Sequence, residues 1–167
     1  MALTLVATAA GESSNTYCTL VEADSYHETR LHNEDWTDAN DTNKNAALVW
    51  ATRLLDEMVD WVGTKYTTAQ ALRWPRSGAY NLDNEDYDYD TIPQWLKNAT
   101  AEFAMYLLSE DRQAEDDMMG FKEITLDVIT LKADKYDRPH TIPKSVWDII
   151  QPYGILIRKH PRTLTRI

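Results

Sequence analysis

The sequence predicts a mainly α-helical fold with a β-hairpin insertion and extended N- and C-terminal arms. Apolar residues recur at helical spacing in four stretches, and the period changes to strand-like alternation only within residues 121–134. The 167-residue chain is long enough for one domain with its own core. We therefore expect an arm over residues 1–18, a helical domain over 19–154 and a basic tail over 155–167.

The first two helices are predicted from a cap and from two apolar stripes. Thr19 and Glu22 have the spacing of a capping box, and the stripe that accompanies them consists of Leu20, Ala23, His27 and Leu31. The strongest stripe lies in residues 42–62 and consists of Leu48, Ala51, Leu55, Met58 and Val62. Further apolar residues widen this second stripe, so we expect the helix to pack on two sides and to end at Gly63.

The remaining elements follow residue 92. Pro93 opens a third helix that runs to about Glu110, with a stripe at Leu96, Ala99, Phe103 and Leu107. Alternating apolar residues in 121–134 switch parity near residues 127–128, which predicts a two-stranded hairpin; a strand with a bulge is the alternative. Pro143 opens a short final helix, which Pro152 and Gly154 end.

The segment LRWPRSG, residues 72–78, places a tryptophan between two arginines in a loop marked by Pro75 and Gly78. Two interpretations are open. In the first, Arg73, Trp74 and Arg76 lie at an interface between copies of the chain, because Trp and Arg often carry binding energy. In the second, Trp74 covers the end of its own long helix and the arginines face the carbonyls at that helix's C-terminus.

Five acidic residues lie in the segment 81–90, which is predicted to be a solvated loop. A calcium-binding loop is the alternative. In the register that starts at Asp83, the sixth position is Asp88 instead of glycine and the twelfth is Gln94 instead of glutamate. The pattern therefore argues against a calcium loop.

Charge is distributed unevenly along the chain. The chain has 17 basic and 27 acidic residues, a net charge of −10, and the last ten residues hold four of the basic residues and no acid. Residues 1–157 therefore carry −14, which opposes tight wrapping of nucleic acid. No stretch approaches the 18 apolar residues of a membrane span, and no Lys or Arg precedes the apolar N-terminal run. We expect a soluble protein made in the cytoplasm, without a membrane partner.

No pattern in the sequence predicts catalysis, a metal site or a cofactor. Cys18 is the single cysteine, and the four histidines lack zinc-site spacing. His27, on an apolar helix face, is predicted to be packed and hydrogen-bonded. Asp56 and Asp60 are predicted to share a solvated helix face. These features favour a structural or interaction protein, with a single-stranded-DNA-binding module and a small enzyme as the alternatives.

Four short motifs follow one another in a recognisable order. They are Tyr17 with EAD at 22–24, ATRLLD at 51–56, WPR at 74–76, and Ile92 with Pro93. In this order and spacing, residues 15–154 resemble the head–tail connector proteins of tailed bacteriophages, also called adaptor or head-completion proteins. The same family has also carried the label of DnaT-like single-stranded-DNA binding. The acidic segment 81–90 and the basic tail depart from the family pattern.

The resemblance implies a small antiparallel helical bundle with a β-hairpin, which assembles as a ring beneath the portal vertex of the virion. The ring is typically a dodecamer. It continues the channel for double-stranded DNA without binding the DNA tightly, and an acidic body suits such a channel wall. The implied partners are neighbouring copies, the portal protein, and a tail or stopper protein.

The C-terminal tail is predicted to dock the subunit onto the portal. The expected docking residues join an apolar patch to a basic end: Ile155, Leu156, Ile157, Arg158, Lys159, Arg162, Leu164 and Arg166. The apolar residues are expected to enter a groove while the arginines pair with carboxylates, and the end is expected to become ordered only on a partner. The alternative is a solubilising strap over the chain's own acidic body.

Overall fold

The computed structural model describes residues 3–114, 123–126, 129–132 and 140–157. Its α-helices are α1 (Leu20–Glu28), α2 (Glu34–Thr37), α3 (Asp41–Met58), α4 (Gln94–Ser109) and α5 (Lys144–Ile150). Its strands form three antiparallel pairs: β1 (Val59–Trp61) with β6 (Gly154–Leu156), β2 (Thr64–Lys65) with β3 (Arg76–Ser77), and β4 (Glu123–Leu126) with β5 (Ile129–Lys132). The predicted mainly helical fold is confirmed.

The core is built around α4. This helix packs against α1, α2, α3 and α5, and nine of its 16 residues are buried. A helix at the surface buries only one stripe, so this degree of burial identifies α4 as the central element. Alanines at positions 99, 101 and 104 leave room for neighbouring helices to approach closely. The predicted third helix is thus confirmed, with Pro93 as its N-cap residue.

The first helix begins as predicted and ends earlier than predicted. Thr19 and Glu22 form the expected capping box, with the Thr19 backbone N–H donating to the Glu22 carboxylate at 2.8 Å. The helix ends at Glu28, and Leu31 is 82% exposed instead of continuing the apolar stripe. The connection that follows contains the short helix α2, which buries Trp36.

The long helix also ends earlier than predicted. It stops at Met58, and the next three residues form β1 instead of a last helical turn. This change follows from pairing, because Val59 lies opposite Leu156 and Trp61 opposite Gly154. Gly63 therefore does not end the helix. It lies in the turn between β1 and β2 with φ +77°, where a side chain would overlap the Ser77 carbonyl.

The predicted hairpin in residues 121–134 is confirmed for its two strands. β4 and β5 keep a continuous antiparallel register from Glu123 opposite Lys132 to Leu126 opposite Ile129. The pairing shows no bulge, and the predicted turn at residues 127–128 lies outside the described residues. Pro143 is the N-cap residue of α5, which passes through a 3₁₀ turn (Gln151–Tyr153) into β6.

Candidate functional site: the loop 72–78 and the groove beside it

Trp74 lies in the chain's own core, with 1% of its surface exposed. Its ring meets the rings of Trp61, Tyr87 and Trp95 edge to face, with centroids 5.2–6.1 Å apart. Such contacts stabilise an aromatic cluster beyond the burial of its area. The interpretation of Trp74 as a cover for its own core accounts for this packing, and an interface role for the loop stays a prediction.

Arg76 fastens the loop to the turn that follows β1. Its guanidinium donates to the carbonyls of Trp61 at 3.1 Å, Val62 at 2.7 Å and Gly63, and also to the Arg73 carbonyl at 3.2 Å. Three of these carbonyls lie beyond the end of α3, so Arg76 stabilises a turn and not the helix C-terminus that the sequence suggested. Burial, and then the nearby Arg73 cation, lower the pKa of Arg76. The bonds explain how a charged side chain is held with 9% exposure.

Asp56 joins the N-terminal arm, α3 and the loop. Its carboxylate accepts hydrogen bonds from the Tyr17 hydroxyl and, at 3.0 Å, from the Arg73 backbone N–H. The Tyr17 hydroxyl oxygen accepts in turn from the Trp74 backbone N–H at 3.3 Å. Burial raises the pKa of Asp56, and burial together with the Asp56 charge raises the pKa of Tyr17 well above its ordinary value. The prediction of a solvated helix face was wrong here, because Asp56 turns inward and Asp60 lies in β1.

An open groove of about 790 Å³ lies between α3 and the segments 63–65 and 71–76. Residues 3–114 and 140–157 contain nine Lys and Arg residues, and four of these line the groove: Arg53, Lys65, Arg73 and Arg76. Six of the nine form salt bridges within the described residues, and the three that do not are all in the groove. Two acids, Asp56 and Glu57, line the groove as well, so its four cations exceed its carboxylates on an otherwise acidic molecule.

The acidic segment 81–90 is a surface loop, as predicted. The Asn81 side-chain oxygen accepts from the backbone N–H groups of Asp83 and Glu85, both at 2.9 Å, which closes a turn. Near the other end, the Tyr89 ring stacks on Tyr66 with centroids 4.4 Å apart. All five acidic residues are exposed, and none forms a salt bridge with any other described residue.

Two buried polar side chains lie where α1 meets α4. His27 contacts the Ala101 carbonyl through Nε2 at 3.0 Å, and because a carbonyl only accepts, this nitrogen carries the proton. The predicted packed, hydrogen-bonded histidine is confirmed. Glu102 accepts from Arg30 at 2.7 and 3.0 Å and from the Tyr26 hydroxyl at 3.1 Å. Sequence reasoning missed Glu102, although a lone acid within an apolar helical stretch was an available signal.

The apolar part of the predicted docking patch is anchored on β1. Ile155 lies opposite Asp60, and the Ile157 N–H donates to the Met58 carbonyl at 2.8 Å. The side chains of Ile155 and Ile157 are 69% and 42% exposed, and Leu156 is partly buried. The other predicted docking residues lie outside the described residues: Arg158, Lys159, Arg162, Leu164 and Arg166.

The described residues offer little reactive chemistry. Burial raises the pKa of Cys18 to about 12, so its thiol stays protonated at neutral pH and is a poor nucleophile. Within residues 3–114 and 140–157, no three His, Cys, Asp or Glu side chains are placed to hold a metal ion. None of the described helices is long and apolar enough to cross a membrane.

Comparison with known proteins identifies a family. A family model described as "Putative DnaT-like ssDNA binding protein" matches residues 1–155. No curated protein and no solved structure matches the chain. The matched range contains α3 and the segments 63–65 and 71–76, so it includes every element of the groove. The DnaT-like label expected from the sequence is thus confirmed, and the chain belongs to the family of putative DnaT-like ssDNA-binding proteins.

Proposed function

We propose that this protein is a structural head–tail adaptor of a tailed bacteriophage. Copies of the chain form a ring under the portal, the ring continues the DNA channel, and its outer end receives the tail. The observation that supports this proposal is the charge of the molecule. Residues 3–114 and 140–157 hold 20 acidic and nine basic residues, and six of the nine basic groups are already paired. A wall of that charge repels phosphate, so DNA passes without adhering.

The sheet formed by β1 and β6 supplies the attachment to the portal in this proposal. It exposes Ile155 and Ile157 directly before the four basic residues of the tail in the sequence. Exposed isoleucines beside a basic segment match a partner surface that offers an apolar groove rimmed with carboxylates. The paired strand holds the first docking residues in place before the partner arrives, which lowers the ordering cost of binding.

Completion of heads in vitro tests the adaptor role. Heads that carry a portal but lack this protein are mixed with tails and either the wild-type chain or a chain truncated after Ile157. This truncation keeps β6 intact, whereas a cut after Gly154 would remove most of the strand that pairs with β1. We expect unchanged helix content by circular dichroism and loss of head completion. Equal completion by the truncated chain would show that the tail does not dock the subunit.

Single-stranded-DNA binding is the second candidate function, and the family description supports it directly. One groove cation, Lys65, directly precedes Tyr66 in the chain, and Tyr66 and Tyr89 are 43% and 55% exposed as a stacked pair. Cationic grooves with exposed aromatic rings are the usual means of binding single strands. The acidic residues on both sides of Tyr89 oppose this function, since they repel the phosphate backbone.

Fluorescence anisotropy with labelled single and double strands separates the two functions. For the adaptor, we expect only non-specific binding, with a dissociation constant of about 10⁻⁴ to 10⁻⁶ M at physiological salt. For a single-strand-binding protein, we expect nanomolar binding that Tyr66→Ala or Tyr89→Ala weakens by about 1–3 kcal/mol per stacked base. Tyr80→Ala, an exposed tyrosine outside this stacked pair, is the matched control.

A further inference from the structure

We infer that the groove between α3 and the loop 72–78 binds the acidic segment 81–90 of a second copy of this chain. The inference rests on the proposed ring, because it names the surfaces through which neighbouring copies meet. Within residues 3–114 and 140–157, the groove holds the three basic side chains without a salt bridge, and the segment holds five acids without one; the inference joins these two parts in one contact.

The groove has cationic side chains that are available to bind a carboxylate. The Arg73 side chain makes no hydrogen bond or salt bridge with the described residues, although its backbone is fixed by Asp56. Arg53 meets Glu57 only at 3.9 Å, and their side chains are 62% and 60% exposed. Such an exposed pair contributes little, so a better carboxylate can replace it. Lys65 donates to the Gln70 carbonyl at 3.1 Å and forms no salt bridge with a described carboxylate.

The acidic partner of the groove is equally unpaired. The five acids of segment 81–90 are exposed, and the Asn81 turn and the Tyr66–Tyr89 stack hold the segment against its own subunit at its two ends. A segment that is already held in place loses less conformational entropy on docking than a free tail does. Arginine forks and carboxylates form the strongest of the charge-assisted hydrogen bonds.

The two surfaces differ, which determines the kind of assembly. When one patch of a subunit contacts a different patch of the next, the contact is head to tail, and repeated contacts of this kind close into a ring or continue as a filament. Within one chain, no carboxylate of the segment 81–90 forms a salt bridge with a groove cation. A second copy provides an acidic segment for the groove cations and a groove for the acidic segment.

Nucleic acid is the less favoured occupant of the groove. A strand of DNA extends beyond a groove of about 790 Å³ and meets the surrounding surface, on which acids outnumber bases. An acidic segment of ten residues is short enough to place its charge in the groove without extending over the surrounding acidic surface. At physiological salt, interactions beyond about 8 Å are screened, so a short and local partner gains most from these cations.

Reciprocal charge reversal tests the contact. One variant carries Arg53→Glu and Arg73→Glu in the groove, and the other carries Asp88→Lys and Asp90→Lys in the segment. Sedimentation at low salt should show self-association of the wild-type chain and at least about tenfold weaker association of each variant alone. An equimolar mixture of the two variants should associate again, because each reversed groove then meets a reversed segment and each native groove a native one.

Two matched variants control for charge. Lys144→Glu, the control for Arg73→Glu alone, reverses one basic residue outside the groove. Glu12→Lys with Asp35→Lys, the control for the segment variant, reverses two acids outside the segment. Both should associate like the wild-type chain. The inference is overturned if the wild-type chain stays monomeric up to about 1 mM, if both variants associate normally, or if the mixture fails to associate.

The same variants distinguish this inference from its alternatives. If groove reversal abolishes binding to labelled single-stranded DNA and leaves self-association unchanged, the groove is a nucleic-acid site and the inference is wrong. If the variants associate and complete heads normally, the proposed ring is not affected, and only the contact between groove and segment is wrong. If the wild-type chain fails to attach to portal-bearing heads, the adaptor function itself is wrong.

Discussion

The loop 72–78 and the acidic segment 81–90 are separated by two residues and have opposite relations to solvent. The loop buries a tryptophan and an arginine, with 1% and 9% exposure. The segment leaves Leu82 81% exposed and Tyr89 55% exposed. Polarity does not explain the difference, since a charged residue is buried and a leucine is exposed. The loop is buried because Arg76 finds four carbonyls and Trp74 finds three aromatic rings.

The contrast also separates structural from recognition roles. Trp74 and Arg76 are packed or bonded by their own chain, so changes at these two residues should affect stability first. Tyr87 of the segment packs on Trp74, but the acidic side chains of the segment form no salt bridges with described residues, so changes of these acids should affect association first. The following predictions test this division, from the largest expected effect on stability to the smallest.

Replacing Trp74 should have the largest effect. Trp74→Ala removes a fully buried aromatic ring and should lower the free energy of unfolding by about 3–5 kcal/mol, measured by urea denaturation. Tyr80→Ala is the matched control, because Tyr80 is 50% exposed and its loss should change stability by about 0.5 kcal/mol or less. Equal losses in the two variants would contradict the assignment of Trp74 to the core.

Replacing Arg76 should have the next largest effect. Arg76→Met keeps much of the side chain's volume but removes the donors for carbonyls in the turn after β1, which should cost about 1–3 kcal/mol for unsatisfied groups. Arg53→Met, in the same groove but 62% exposed, should leave stability nearly unchanged. The two denaturation curves compare a buried with an exposed arginine at one site. Coincident curves would mean that the bonds of Arg76 contribute nothing.

Asp56 should affect how stability depends on pH. Its pKa is raised in the folded protein, mainly by burial, so its stabilising contribution is complete below the unfolded value of about 3.9 and declines as pH rises through the raised pKa. Asp56→Asn cannot ionise. The stability of the wild-type chain relative to this variant should therefore fall between acidic and neutral pH, measured by denaturation at a series of pH values. A relative stability that rises with pH would refute the assignment, and Asp60→Asn is the exposed control.

Charge changes in the acidic segment should have the smallest effect on stability. Asp88→Lys and Asp90→Lys should each change the free energy of unfolding by about 0.5 kcal/mol or less, because both carboxylates are exposed and unpaired among the described residues. Thermal melting in high salt, where copies are kept apart, provides the measurement. A loss comparable with that of Arg76→Met would mean that these two carboxylates stabilise their own subunit.

Sequence patterns predicted the helices more reliably than the strands. The stripe of α4 and the capping box of α1 depend on residues three or four apart, which a single sequence displays. β1 and β6 have three residues each, too short to show a period, and they were missed. For the same reason the stripe that includes Val62 overextended α3, because the apolar residues after Met58 fit either a helix or a strand.

The candidate site was predicted only in part. Arg73, Trp74 and Arg76 were recognised as unusual from their loop, but the carbonyls that bind Arg76 were in neither of the two interpretations, which named a neighbouring copy and the helix end. Asp56 was placed in solvent, because its spacing from Asp60 suggested one helical face. The groove was not predicted, since its cations come from three separate segments that only packing brings together.

The sequence by itself determined the acidic charge, the helical stripes, the capping box and the turn at the loop 72–78. These properties are local, because they depend on composition and on residues within one or two helical turns. Tertiary structure decided where α3 ends, which arginine is buried, and which cations share a groove. Each of these depends on partners far apart in the chain, such as Val59 with Leu156 and Tyr17 with Asp56, and a buried polar group keeps its place only when folding brings it such a partner.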